Sequence, residues 1–418
     1  MLIKELTINA VLLAERMCGA MDASLFREMK VVSLEQAIVA PYLTFRLAQD
    51  GFYVLRIENP AGPDPDRYIG PNCLGEEGMN TYFFAINGGK KAITLNLADA
   101  RGQELLREII AKLKVDVFVT NQLSKNYEKL GIDYESLSSV KPDLIWLGIT
   151  GFGPRYDEVA YDPILQARGG LMEINGEENG EPLTLGIHLS DMGASEHAYG
   201  LIMKALLKRF ITGEGSRIDL SMFESTVSWL TVPLCLSHNF KYHYTRKGNT
   251  HKFFAPASVY RTKNGYVYIS VGNERQWQSL IKIPAFRSLD KEAYSKNAGR
   301  IADVDNLNDA MNKITETFET WTLVTLFKEA KIAISNINNL QEVANDPLVQ
   351  EKMLYTKDTK SGLKLNLAPP PAMTPFLEEQ GKRLSFPPRI GDNNEEIYQN
   401  MLGLEPEMIK NLKRDAVI

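Results

Sequence analysis

Cysteine is scarce in this chain of 418 residues: only Cys18, Cys73 and Cys235 occur, far apart and with no CxxC pair. That excludes a disulfide framework and a cysteine-built zinc cage. Histidine is nearly as scarce, with five residues, and none has metal-ligand spacing, so no metal site is expected. His238 and His243 fall in a polar, aromatic stretch and read as surface residues. No run of about 18 apolar residues exists, so no membrane partner is expected. The N-terminus also lacks the unbroken apolar centre of a secretory leader, because Lys4, Glu5, Glu15 and Arg16 interrupt it. The cytoplasm is therefore the expected location. Positive charge is not in excess either: the net formal charge is −5, which argues against nucleic acid. An anionic small ligand would need a local basic patch.

What the chain does contain is a regular alternation of short apolar runs and amphipathic stretches. Residues 30–34, 52–57, 93–97, 115–119, 144–149 and 217–221 read as strands. Between them, Gly51 stops a helix ending at Asp50, and Asp99 opens another that carries Leu105, Leu106, Ile109, Ile110 and Leu113 at helical spacing. A long helix is expected from Met192 to Phe210. Strands alternating with helices pair in parallel, so the expected fold is a Rossmann-like, doubly wound α/β domain over residues 29–235. A smaller α+β domain is expected over 236–356. It holds an irregular connection from His238 to Lys252, strands at 258–261 and 266–271 joined by a turn at Lys263-Asn264-Gly265, then helices to Glu329. The proline-rich stretch from Lys357 to Ile390 reads as extended, and a short helix from Asn394 to Met401 closes the chain; residues 357–418 are expected to return to the first domain.

Several positions allow both a structural and a chemical reading. Asp162 precedes Pro163 and a helical run ending at Gly169-Gly170, which is how a helix cap looks. A carboxylate at a helix N-terminus is also held ionised by free N–H groups and the helix dipole, as a nucleophile should be. Gly148 to Gly153 resembles a glycine turn but lacks the acidic partner and early placement of a dinucleotide fingerprint. Gln36 follows the first strand, where α/β folds bind ligands, and its amide has the chemistry to donate to an oxyanion. The ordinary reading is a polar loop residue. Lys90 with Lys91, or Lys125 with Lys129, have the charge to meet phosphates; solvated helix faces look the same.

Taken in order, these pieces resemble class III CoA-transferases of the formyl-CoA and carnitine type, relatives of the α-methylacyl-CoA racemases. The pieces are Val31 to Ala37 with Ala40-Pro41-Tyr42, Val54 to Glu58, Asn87 to Lys91 with Leu95-Asn96-Leu97, and Asp116 to Asn121. They continue with Ile149 to Gly153, Tyr161-Asp162 with Gln166, Arg217 to Ser221, and Phe254-Ala255-Pro256 with Tyr260-Arg261-Thr262. The resemblance implies that Asp162 is the catalytic aspartate, that Gln36 and Ala37 line the thioester, and that Leu95, Asn121 and Lys129 hold coenzyme A. It further implies a CoA thioester as co-substrate with no tightly bound cofactor, a small carboxylic acid as second substrate, and an interlocked homodimer of ring-shaped chains. Two departures stand out. Gly248 to Lys252 lacks the glycine-rich loop of formyl-CoA transferase, and Asn59 stands where one of the family's basic residues near the adenosine phosphates would be Arg. Residues 1–28 precede the usual start; Met21 or Met29 is an alternative start, or the segment is an extra helix.

Two other functions compete. A racemase or epimerase of 2-methylacyl-CoA needs an acid and a base flanking the α-carbon. Its histidine is replaced by Tyr161, with an ordinary pKa near 10, although its aspartate is matched by Asp191. A non-catalytic subunit of a heteromeric transferase would have no reason to keep Asp162.

Overall fold

The computed structural model describes residues 24–418; Cys18, the leader reading and most of the extra N-terminal segment lie outside them. The chain divides into two compact units. One takes in the described residues to Gly169, then Gly186–Val232 and Glu351–Ile418; the other is formed by Gly170–Leu185 and Pro233–Gln350.

The first unit is built on a six-stranded sheet. In chain order its elements are β1 (Lys30–Leu34), α1 (Val39–Gln49), β2 (Tyr53–Glu58), β3 (Lys91–Thr94), α2 (Ala100–Leu113), β4 (Val117–Thr120), β5 (Ile145–Thr150), α3 (Asp162–Arg168), α4 (Leu189–Thr212) and β6 (Ser216–Ser221). The strand order is β3-β2-β1-β4-β5-β6, and every pairing is parallel. This is the doubly wound order with its switch point between β1 and β4.

Period-two alternation sends neighbouring side chains to opposite faces. Val32, Leu55, Ile57, Phe118 and Trp146 pack under α2, while Val31, Val54, Val117, Val119 and Leu147 pack against α1 and α4. Strands buried on both faces read as continuous apolar runs, which is why they stood out in the sequence. The C-terminal segment covers the open edge at β3. The N–H groups of Ala92 and Thr94 donate to the side chains of Asn393 and Asn394, at 3.0 and 2.9 Å. The Tyr398 hydroxyl donates to Thr94 O at 2.6 Å.

The second unit holds an antiparallel sheet, β7 (Ala257–Thr262), β8 (Gly265–Ser270) and β9 (Ala333–Asn336), against a helical core. Four details differ from the sequence reading. His238 lies in a helix, Thr231–Phe240, not in an irregular connection. β9 was not legible, because only four residues form it and none is fully buried. The proline-rich stretch carries a small sheet of its own, β10 (Leu354–Lys357), β11 (Lys364–Leu367) and β12 (Arg383–Leu384). The chain closes on a further helix, Pro406–Arg414, after a π-helical turn at Glu395–Met401. Among the described residues no helix is long and apolar enough to cross a membrane.

Candidate active site

Asp162 opens α3 but does not cap it. The cap position belongs to Tyr161, which makes no side-chain capping bond, and Asp162 and Pro163 are the first two helical residues. The carboxylate turns instead to the N-terminus of α4, a 24-residue helix. Its Oδ2 accepts from the N–H groups of Ser190 at 2.6 Å and Asp191 at 3.2 Å. Its Oδ1 accepts from the Gln166 side-chain amide, one turn further along α3. Asp162 is 3% exposed, so these donors stand in for water around a buried carboxylate. The backbone N–H groups that hold this carboxylate belong to α4 and not to the helix Asp162 begins.

Around this carboxylate stand other ionisable groups. Ligand-type atoms of Asp162, His188 and Asp191 lie within 4.8 Å of one another. Both Asp162 oxygens already accept from N–H donors, so the trio does not present a metal with three free ligands. His188 Nε2 is 2.6 Å from the Tyr82 hydroxyl. Asp191 is buried, and no hydrogen bond reaches its carboxyl among the described residues. Burial, then the charges of Asp162 and Asp66, push its pKa up to about 7. Asp66 is also pushed up, to about 6, by burial and the neighbouring Asp64, against the pull of Arg56. Among the described residues its Oδ2 and the Ser190 hydroxyl are buried without a partner.

A second group of residues shapes the turn after β1. Ala37 adopts φ 59°, a left-handed conformation unfavourable for a residue with a Cβ. It is held there from outside: its N–H donates to Asp64 Oδ1 at 3.0 Å. Asn121, at the end of β4, accepts from Gln36 N at 3.1 Å and donates to Gln36 O at 2.8 Å. Asp64 in turn accepts from Arg56 at 2.8 Å, within a buried network of Glu35, Glu58, Arg67 and Lys90. Such a network is costly to desolvate, and removing any member strands the rest.

The expected site residues therefore fall into three groups. The Asn121 side chain holds the backbone of Gln36, and the neighbouring Ala37 N–H is held by Asp64. Leu95 and Lys129 line a cavity of ≈ 260 Å³ with Leu34, Asn59, Leu97 and Leu130, beyond the carboxyl ends of β1, β2 and β3. Asp162 belongs to the cluster on α4, and its hydrogen bonds do not reach Gln36. Lys90 is buried against Glu35, Asn87 and Pro41 O, and Lys91 pairs with Glu396, so neither has its charge free for a phosphate. Lys125 lines a separate polar cavity with Arg155 and Arg217.

Sequence reasoning missed Tyr82, His188, Asp64 and Asp66 and gave Gln166 no role. The four-residue spacing of Asp162 and Gln166 on one helix was a usable signal for the last. The others meet only in three dimensions.

A model of CoA-transferase family III matches residues 26–394. The chain is 29% identical over 403 residues to a succinyl-CoA:glutarate CoA-transferase of Homo sapiens, spanning 93% of this chain and 89% of that protein. It is 31% identical over 360 residues to a succinyl-CoA:mesaconate CoA-transferase of Haloarcula hispanica, spanning 82% and 87%. A crystal structure of a CAIB/BAIF family protein from Brucella suis matches with TM-score 0.78 and 27% identity, over 90% of this chain and 99% of that one.

Proposed function

The chain belongs to CoA-transferase family III and moves coenzyme A between acids, and from that premise we propose that Asp162 is the nucleophile that carries it. The observation behind this reading is a buried carboxylate whose two oxygens are held differently, Oδ2 by the N–H groups of Ser190 and Asp191 and Oδ1 by Gln166. Oδ1 attacks the thioester carbonyl of the donor; the C–S bond breaks, leaving a mixed anhydride on Asp162 and the CoA thiolate. The thiolate then attacks the Asp162 side-chain carbonyl, the donor acid leaves as its carboxylate, and an aspartyl-CoA thioester remains. The acceptor carboxylate attacks that carbonyl, and the two steps run in reverse. Splitting the exchange this way replaces one hard step by several easier ones.

At each attack on Asp162 the carbonyl oxygen gains charge. Oδ2 already sits on two backbone donors at the positive end of a long helix, so little reorganisation is needed. Gln36 and Ala37 are assigned to the thioester and Leu95, Asn121 and Lys129 to coenzyme A; the cavity holding Leu95 and Lys129, beyond the strand ends, supports that assignment. The second substrate is taken to be a dicarboxylate, as in the names of both relatives. The working form is taken to be a homodimer with no tightly bound cofactor, in the cytoplasm.

The test is Asp162→Asn. Asparagine keeps a carbonyl oxygen for the α4 donors but has no anionic nucleophile, so the variant should fold and lose at least about 10³-fold in kcat. In the unchanged enzyme, hydroxylamine trapping with acyl-CoA should label the peptide that carries Asp162. Near wild-type turnover in the variant, or a label elsewhere, sinks the assignment. A screen of acyl-CoA donors against mono- and dicarboxylates, read by mass spectrometry, decides the acids.

A further inference from the structure

Asp191 is a buried carboxyl one α4 residue beyond Ser190, with no hydrogen-bond partner among the described residues, beside a nucleophile that has three. A carboxyl placed to help hold the fold would be paired; among the described residues this one has the groups of the site as its charged neighbours. From α3 it meets Asp162, from the turn at 65–68 it meets Asp66, and from the start of its own helix His188, itself joined to Tyr82 of the short helix Thr81–Phe84. No lysine or arginine stands among these neighbours. Two carboxyls this close resist being ionised together, so one negative charge is shared and the better solvated partner keeps it. The better solvated partner is Asp162, through its N–H donors. Beside the Asp162 anion, Asp191 then keeps its proton to a higher pH than an ordinary carboxyl does.

Acylation of Asp162 removes that anion. At the same moment the C–S bond breaks and a thiolate appears in the site. We propose that Asp191 is the acid that protonates the departing CoA sulfur and the base that takes the proton back before the sulfur attacks Asp162. The proton passes from the Asp191 carboxyl to sulfur, giving a thiol and the Asp191 carboxylate; the return transfer restores the thiolate. Nothing is consumed, and the net charge of the site stays constant through the cycle. The shift of Asp191 toward neutrality gives it the right acid strength for this exchange. The proposal rests on Asp162 being the site of acylation.

The experiment is the pH profile of kcat/KM, from about pH 5.5 to about pH 9, for wild type, Asp191→Asn and His188→Gln, because kcat/KM reports ionisations of the free enzyme. Wild type should lose activity above neutrality as Asp191 ionises in the free enzyme. Asp191→Asn should remove that alkaline limb and lower kcat by about 10²–10³-fold, with KM for acyl-CoA changed little. His188→Gln should keep the limb. If the limb persists in Asp191→Asn, or vanishes only in His188→Gln, the proposal is overturned; a merely structural role for Asp191 would lower the profile without changing its shape. Hydroxylamine trapping run on Asp191→Asn separates the two readings, since a label on Asp162 keeps the nucleophile assignment whatever the profile does. Should Asp191→Asn not fold, infrared difference spectra of wild type with ¹³C-labelled aspartate serve instead. A protonated-carboxyl band must be present in the free enzyme and disappear on acylation, and its absence overturns the proposal.

Discussion

Asp162 and Asp191 bring carboxylate oxygens within 4.8 Å of each other, yet N–H donors reach only Asp162. The asymmetry has a thermodynamic consequence. The folded pKa of Asp191 is raised to about 7, so folding favours its protonated form. That contribution is fully present below the unfolded value near 4 and is lost as pH rises to about 7, by as much as about 4 kcal/mol. Asp191→Asn should therefore stabilise the protein at about pH 8 and leave it unchanged at about pH 4. Denaturant midpoints at the two pH values check this, and an equal gain at both would show that the ionisation is not the cause. The same residues bear on racemisation. Tyr161 replaces the racemase histidine, but His188 sits beside Asp191 and is a base the sequence did not reveal. Inversion would require the two groups to flank a substrate carbon, one as acid and one as base. A chiral 2-methylacyl-CoA held with the enzyme in D₂O, without acceptor acid, should gain no α-deuterium over many turnovers' worth of time. Exchange at a rate comparable to transfer would mean that His188 and Asp191 act on carbon.

At the scale of elements, what the sequence made legible was whatever a short period encodes. The buried strands appear as apolar runs because both faces are covered, and α2 appears because Leu105, Leu106, Ile109, Ile110 and Leu113 recur along one face. Elements stabilised by distant partners were not legible. β10 to β12 are four, four and two residues long and pair across a proline-rich stretch. The seating of Asp162 on α4 joins positions 28 residues apart, so the helix whose N–H groups hold this carboxylate was not the one expected from the sequence. Close approach is equally hidden. A Cβ on Gly102 would lie 2.0 Å from the carbonyl oxygen of Asn96, so only glycine lets α2 dock on the turn after β3. That turn supplies Leu95 and Leu97 to the cavity assigned to coenzyme A. Gly102→Ala should cost about 1–3 kcal/mol, as overpacking does, and raise KM for acyl-CoA more than it lowers kcat. Thermal unfolding and initial rates on one preparation test both parts; unchanged stability would mean the turn yields freely.

At the scale of the molecule, exposed apolar side chains collect on particular elements. On the last turns of α4, Leu207, Phe210 and Ile211 are 61%, 53% and 67% exposed, and Trp229 and Val232 that follow β6 are more than half exposed. Single exposed apolar residues are ordinary, but a series along one helix end and the segment beyond β6 is what an interface leaves when one chain is viewed alone. The homodimer implied by the family resemblance would cover it, and interlocking makes a further demand. Two chains that merely pack will separate on dilution, with a midpoint set by their affinity. Two linked rings separate only if one chain unfolds far enough to be threaded out, so dilution has no hold on them. Mass photometry at nanomolar concentration should therefore find dimers alone. Differently tagged dimers mixed under native conditions should exchange no chains over days, yet form hybrids once both are unfolded in denaturant and refolded together. Folded monomer at low concentration, or native exchange within hours, would count against interlocked rings.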